Sequence, residues 1–272
     1  MKQSVLLTAT AVTLLAALAS ARETYAQDNV PGAYSPLPQV FQAAGPDAAS
    51  IQGTVDAFRA ALGEPNNSND PGPLHSGRRE INWDGGGSDS TTAPETPFEG
   101  FLDSRGGRFT TPGDGLSQAP ASGGPEGGLA VLFNNPTYAT AFVPFSAVRF
   151  FTPVGSNLTQ ATFFIPGTQG STPATVSGFG VVFADVDDQD TDGRHPGAAM
   201  EFYDAHGALL FKTVVPASPG KGSLSFFGVR FNDARIASVR IRTGDVAAGP
   251  NDNRRHDIVV MDDFIYGEPQ QQ

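Results

Sequence analysis

From Leu129 onward the chain breaks into short apolar runs, each closed by turn residues, and this rhythm most constrains the fold. The runs are Leu129 to Phe133, Ala141 to Phe151, Leu158 to Ile165, Val176 to Asp185, Ala199 to Tyr203, Leu209 to Val215, Leu224 to Phe231, Ile236 to Thr243 and Ile258 to Tyr266. Their spacing predicts an all-β sandwich or barrel. Asp204-Ala205-His206-Gly207 reads as a hairpin loop between Met200-Glu201-Phe202-Tyr203 and Leu209-Leu210-Phe211. The pairs Phe150-Phe151, Phe163-Phe164 and Phe226-Phe227 point to both faces of their strands. Some of these rings therefore have to be covered by a further layer outside the sandwich.

One helix is predicted. Ile51, Val55, Phe58 and Leu62 fall on one helical face, and Gly63 and Pro65 stop the pattern, so a helix over about 50–62 packs against the sandwich. Before it, Lys2, the apolar run Val5 to Ala19 and the small-residue patterns Ala19-Ser20-Ala21 and Thr24-Tyr25-Ala26 read as a signal peptide over 1–26. The expected organisation is then an extended segment with the helix over 27–80, a sandwich over 81–267 with a loop at 112–128, and a tail at 268–272. No second apolar run of spanning length follows, which predicts no membrane span in the mature chain and a secreted or periplasmic location. Cysteine is absent, so no disulfide staples the fold. Net charge is −11 with no basic cluster, which argues against nucleic acid.

Acidic residues gather where an apolar strand ends. Val181-Val182-Phe183 runs into Asp185, Asp187, Asp188, Asp190 and Asp192, and Asp262-Asp263 interrupts the last apolar run. Asp188-Gln189-Asp190-Thr191-Asp192-Gly193 opens like a calcium loop, with alternating side-chain oxygens able to turn towards one hard cation. An EF-hand is excluded, because Ala199 stands at the twelfth position and Glu201 lies two residues beyond it. Strand alternation places Asp185 and Asp187 on the face of Val181 and Phe183, and Asp263 on the face of Val259 and Met261, with Asp262 opposite. Carboxylates set among such residues need protons, basic partners or a metal ion, and a structural calcium is expected. The alternative is a solvated acidic loop with Arg194, Arg254 or Arg255 as partners.

Catalytic templates are scarce. There is no G-x-S-x-G elbow, no H-E-x-x-H and no phosphate-binding glycine loop. His75, His195, His206 and His256 lack metal-ligand spacing and read as surface residues. Glu201 and Asp204 form the one candidate carboxylate pair for a glycoside hydrolase. Trp83, the single tryptophan, is either a sugar-stacking platform or a core residue.

Three segments carry a resemblance: Gly77-Arg78-Arg79-Glu80-Ile81-Asn82-Trp83-Asp84-Gly85, Ser177-Gly178-Phe179-Gly180-Val181-Val182-Phe183-Ala184-Asp185-Val186-Asp187, and Val260-Met261-Asp262-Asp263-Phe264-Ile265-Tyr266-Gly267. They resemble a family of secreted bacterial proteins without established activity, related to proteins that end in a Pro-Glu-Pro sorting signal. The C-terminal half is also similar to jelly-roll carbohydrate-binding modules. This resemblance implies a jelly-roll-like β-sandwich and export, and it implies Asp263 with Asp185 and Asp187 as calcium ligands. The ending Gly267-Glu268-Pro269-Gln270-Gln271-Gln272 has neither hydrophobic tail nor basic cluster, so anchoring by that route is not expected. The function these readings favour is an exported, non-catalytic binding or structural module that contacts a glycan or another cell-surface polymer. The alternative is a secreted hydrolase acting on polysaccharide.

Overall fold

Two antiparallel sheets lie face to face, and one of them is apolar on both sides. The computed structural model describes residues 37–187, 197–250 and 256–272, within the unit Ser35–Gln272. The expected signal peptide at 1–26 lies outside the described residues.

The described chain opens with strand β1 (Gln39–Gly45), helix α1 (Ala48–Leu62) and strand β2 (Arg78–Ile81). A helical turn, α2 (Leu102–Arg105), leads to β3 (Gly107–Thr110) and β4 (Gly115–Pro120), then to short helices α3 (Gly128–Leu132) and α4 (Tyr138–Ala141). Next come β5 (Arg149–Val154), β6 (Leu158–Phe164), β7 (Pro173–Thr175), β8 (Gly178–Ala184) and β9 (Ala199–Tyr203). The chain closes with β10 (Leu209–Val214), β11 (Leu224–Arg230), β12 (Ser238–Arg242), β13 (Val260–Gly267) and β14 (Gln270–Gln271). The first sheet has the order β1-β11-β8-β13-β5-β4, with β2 added against β13. The second has the order β10-β9-β12-β6-β7-β14, with β3 against β6. The β-sandwich that the strand rhythm predicts is therefore the fold.

Alternation along the strands divides the apolar side chains between two cores. Phe179, Val181, Phe183, Phe227 and Phe264 of the first sheet share the inter-sheet core with Phe163, Met200, Phe202, Val239 and Ile241 of the second. On the outer face of the first sheet, Val182, Phe226, Val260 and Ile265 join Ile51, Val55, Phe58 and Leu62 of α1. Strands β8 and β13 are consequently buried at every residue. The adjacent phenylalanines are explained by this layering: Phe151 and Phe227 enter one core, Phe150 and Phe226 the other. Phe164 is the exception, lying on the open side with the Arg108 guanidinium 4.5 Å over its ring.

Helix α1 sits where its pattern predicts. Asp47 accepts from the Ser50 N–H at 2.9 Å to close its first turn, and Gly63 ends it. Each of its four buried side chains contributes on the order of 2 kcal/mol of apolar burial. The Phe58 ring reaches the sheet because Gly180 and Gly228 lie opposite each other beneath it. A Cβ on Gly180 would come within 2.8 Å of that ring.

Four expectations fail locally. Leu129 to Phe133 forms helix α3 and not a strand, since Leu129 and Phe133 bury an i,i+4 pair while Val131 stays 64% exposed. The run from Ala141 to Phe151 is divided, with α4 ending at Ala141 and β5 starting at Arg149. The expected loop at 112–128 contains β4, buried throughout and paired along β5. The expected boundary at 80 does not divide the structure, because β1 and β2 belong to the first sheet.

The expected tail at 268–272 is tied into the fold. Glu268 forms a bidentate pair with Arg79, Nε to Oε2 at 2.6 Å and Nη2 to Oε1 at 2.7 Å, with both side chains at most 1% exposed. Arg79 also donates through Nη1 to the carbonyls of Ser68 and Asp70, and Asn67 donates to Glu268. Breaking one partner of such a pair strands the other charge in the interior. Glu268→Ala is therefore expected to lower the unfolding free energy by about 3–5 kcal/mol in chemical denaturation, with Glu268→Gln recovering part of the loss.

Candidate functional site

The acidic centre of β13 is built on a bulge. Val260 and Met261 pair with Ala184 and Phe183, and the register then shifts so that Phe264 pairs with Val181. Asp262 and Asp263 thus stand opposite Val182 alone, two residues against one. The extra residue resets the alternation: Met261 and Phe264 both enter the inter-sheet core although three positions apart. The strict alternation that sends Asp263 and Asp262 to opposite faces therefore does not hold. Both carboxyls meet at Ser146, whose Oγ lies 2.6 Å from Asp263 Oδ1 and 3.2 Å from Asp262 Oδ1. Asp262 also accepts from the Phe145 N–H at 2.7 Å, and Asp263 from Arg59 Nη2 of α1 at 3.4 Å. Arg59 continues to Glu80 at 2.9 Å, and Glu80 to Arg78 at 2.7 Å.

Burial pushes the Asp262 carboxyl well above the usual carboxylate range, with the neighbouring Asp263 adding to the effect. Burial also raises Asp263, opposed by Ser146 and Arg59. Both shifts favour the protonated form, so the pair holds a proton more tightly than isolated carboxylates do. Such a pair has the chemistry of an acid–base centre, but a substrate has no access to Asp262, which is fully buried. Its position between β13 and α1 makes it a structural centre.

Trp83 belongs to the same centre from the other side. Its indole is fully buried, stacks on Phe151 at 3.8 Å and donates from Nε1 to the Asp262 carbonyl at 2.8 Å. It has no face to offer a sugar, and its platform role is corrected to that of a core residue. The next residue, Asp84, accepts from the backbone N–H groups of Val148 and Arg149.

Among the described residues, the expected calcium ligands fall in two places. Asp263 is committed to Ser146 and Arg59, whereas Asp185 and Asp187 leave the end of β8. Asp185 takes φ 67°, which breaks the strand alternation there. Asp187 accepts from the Gly220 N–H at 3.0 Å, and its own N–H donates to Asp257 at 3.0 Å. Asp188, Asp190 and Asp192 lie outside the described residues. Among the described residues, no three His, Asp or Glu side chains converge on one point.

Among the described residues, nothing packs over the outward face of the second sheet. Along β12, Val239 and Ile241 enter the core, so Ser238, Arg240 and Arg242 point outward. Register joins Thr110 to Gln160, Gln160 to Arg240, Arg240 to Glu201 and Glu201 to Lys212 in one row across five strands. At ~4.8 Å per strand the row is ~19 Å long. Three shallow depressions adjoin it, of about 300, 160 and 280 Å³, and Arg240 lines all three. Of this row only Glu201 stands out in the sequence. The alternation Ser238-Val239-Arg240-Ile241-Arg242 is a visible signal for one strand, but the neighbours of each side chain depend on register.

The carboxylate pair considered for hydrolysis lies on and beside this face. Glu201 accepts from Lys212 Nζ at 2.8 Å and from the Tyr203 hydroxyl at 2.6 Å, and these bonds, Lys212 first, hold it below the usual carboxylate range. A glycosidase general acid needs the opposite shift. Asp204 turns its carboxylate onto its own hairpin, accepting from the N–H groups of His206 and Ala208 at 2.8 Å each.

A measurable consequence follows from the raised carboxyls of β13. The folded state keeps a proton that the unfolded chain releases above the ordinary carboxyl value of 3.8, so stability falls as pH rises through that value towards neutrality. Asp262→Asn is expected to flatten this slope and to raise the melting temperature most near neutral pH, and thermal unfolding across pH checks it. No protein family, curated protein or solved structure matches the chain.

Proposed function

We propose that this chain is an exported, non-catalytic β-sandwich module that binds a glycan or another cell-surface polymer across the outward face of its second sheet. The observation that carries the reading is the polar row Thr110, Gln160, Arg240, Glu201 and Lys212 with its adjoining depressions. An extended face of this kind suits a chain-like ligand rich in hydroxyl groups, whose donors and acceptors alternate as those of the row do. Export to the periplasm or the cell exterior is supported by the signal-like pattern of residues 1–26. Among the described residues no helix is long and apolar enough to cross a membrane.

Purified protein is expected to be retained on at least one immobilised polysaccharide or cell-envelope fraction. The double variant Gln160→Ala, Tyr203→Ala should lose retention while keeping the parent melting temperature. Blank retention across such a panel would overturn the reading.

The proposal includes a structural calcium at the end of β8. Asp185 and Asp187 supply hard oxygen donors there, with Asp188, Asp190 and Asp192 next in the chain. Asp263 is not part of this set, being held by Ser146 and Arg59. An ion that binds only the folded state raises its stability by mass action. The melting temperature should therefore rise by several degrees when calcium replaces chelator, and equal values in both conditions would remove calcium from the proposal.

A further inference from the structure

Resting on the assignment of the outward face as the binding surface, we infer that its ligand is an acidic polysaccharide, bearing carboxylate or sulfate groups at intervals along the chain. The charge of the face runs against that of the protein. The sequence holds 28 acidic and 17 basic residues, yet the outward positions of β3, β6, β12, β9 and β10 include Arg108, Arg240, Arg242 and Lys212 against Glu201 alone.

Two of these cations are already neutralised. Arg108 pairs with Glu99 at 2.7 Å and Lys212 with Glu201 at 2.8 Å. Glu201 bonds directly to Lys212 and to the Tyr203 hydroxyl, and it acts on Arg240 across the strand through charge alone, without a direct bond. Among the described residues Arg240 and Arg242 have no ion pair. Arg242 donates Nε to the Gly197 carbonyl, which holds the side chain across the face and leaves its two terminal nitrogens. The two arginines, two residues apart on one strand, have their Cα atoms ~7 Å from each other along β12. Each presents a planar fork that fits a carboxylate or sulfate by paired hydrogen bonds.

The surroundings select among polyanions. Thr110 and Gln160 on one side of Arg240, and Ser238 and Tyr203 beside it, offer neutral hydrogen-bonding groups for hydroxyls. The row is longer than one sugar unit, and Arg240 stands where its three depressions meet. Two unpaired cations match a sparsely charged chain. A nucleic acid duplex carries a phosphate charge every ~1.7 Å and would meet the acidic remainder of the protein.

The test uses the full chain and measures affinity for polygalacturonate and heparin, with dextran and laminarin as neutral comparators and single-stranded DNA as a polyanion of another kind. The acidic polysaccharides are expected to bind, and more weakly as salt is raised. Arg240→Ala and Arg242→Ala should each weaken binding about tenfold, with Arg240→Lys weakening it less. Arg240 is exposed, so the melting temperatures of its variants should match the parent, whereas Arg242→Ala also frees the Gly197 carbonyl and its affinity is read beside its own melting temperature. If neutral glycans bind as tightly and Arg240→Ala has no effect, the acidic ligand is refuted while the binding face stands. Equal or tighter binding of single-stranded DNA would reduce the face to an unspecific cationic patch and overturn the inference. If no polysaccharide binds, the binding assignment falls and this inference with it.

Discussion

Strand β13 is apolar on both faces and still has to accommodate two adjacent carboxyls, and much of the architecture follows from how it does so. A polar group inside a doubly covered strand needs partners or it costs several kcal/mol. The bulge at Asp262 and Asp263 directs both carboxyls to the helix side, where Ser146, the Phe145 N–H and Arg59 receive them. The bulge also leaves the Asp262 carbonyl to be satisfied from the opposite core, and the Trp83 indole does this. One irregularity thus joins the loop before β5, helix α1 and the segment after β2 to the central strand.

The three sequence segments that stand out in this chain share that centre. Arg78 to Ile81 forms β2 beside β13, and Trp83 and Asp84 continue from it to β13 and β5. Gly178 to Ala184 forms β8 on the other edge of β13. Their density of glycine, aromatic and charged residues is explained by contact: Gly180 admits Phe58, Glu80 bridges Arg59 and Arg78, and Arg79 closes on Glu268. These residues hold the fold together, and the features most suggestive of a site in the sequence are largely structural.

The two sheets consequently have different roles. The first is enclosed between the second sheet and a helical layer of α1, α3 and α4. Among the described residues the second keeps one face open, where the polar row from Thr110 to Lys212 lies beside apolar side chains such as Leu158 and Phe164. Rigid strands fix the backbone spacing of those groups.

The sequence alone determined the elements whose signal is local. The i, i+4 spacing of α1, the alternation of β6, β9 and β12, the hairpin at Asp204 to Gly207 and the two-faced phenylalanine pairs all follow from periods along one segment. Local signal failed where partners decide. Leu129 to Phe133 is too short for its period to separate helix from strand, and β4 and the final residues are ordered by β5 and Arg79. The meeting of Asp262 with Asp263 required a bulge that pairing with β8 imposes. The row from Thr110 to Lys212 required the register of five strands, and register depends on contacts between residues far apart in the chain. The sequence therefore determined the layers, and tertiary pairing decided which side chains meet, because strand alternation is encoded locally while the neighbour across a strand is not.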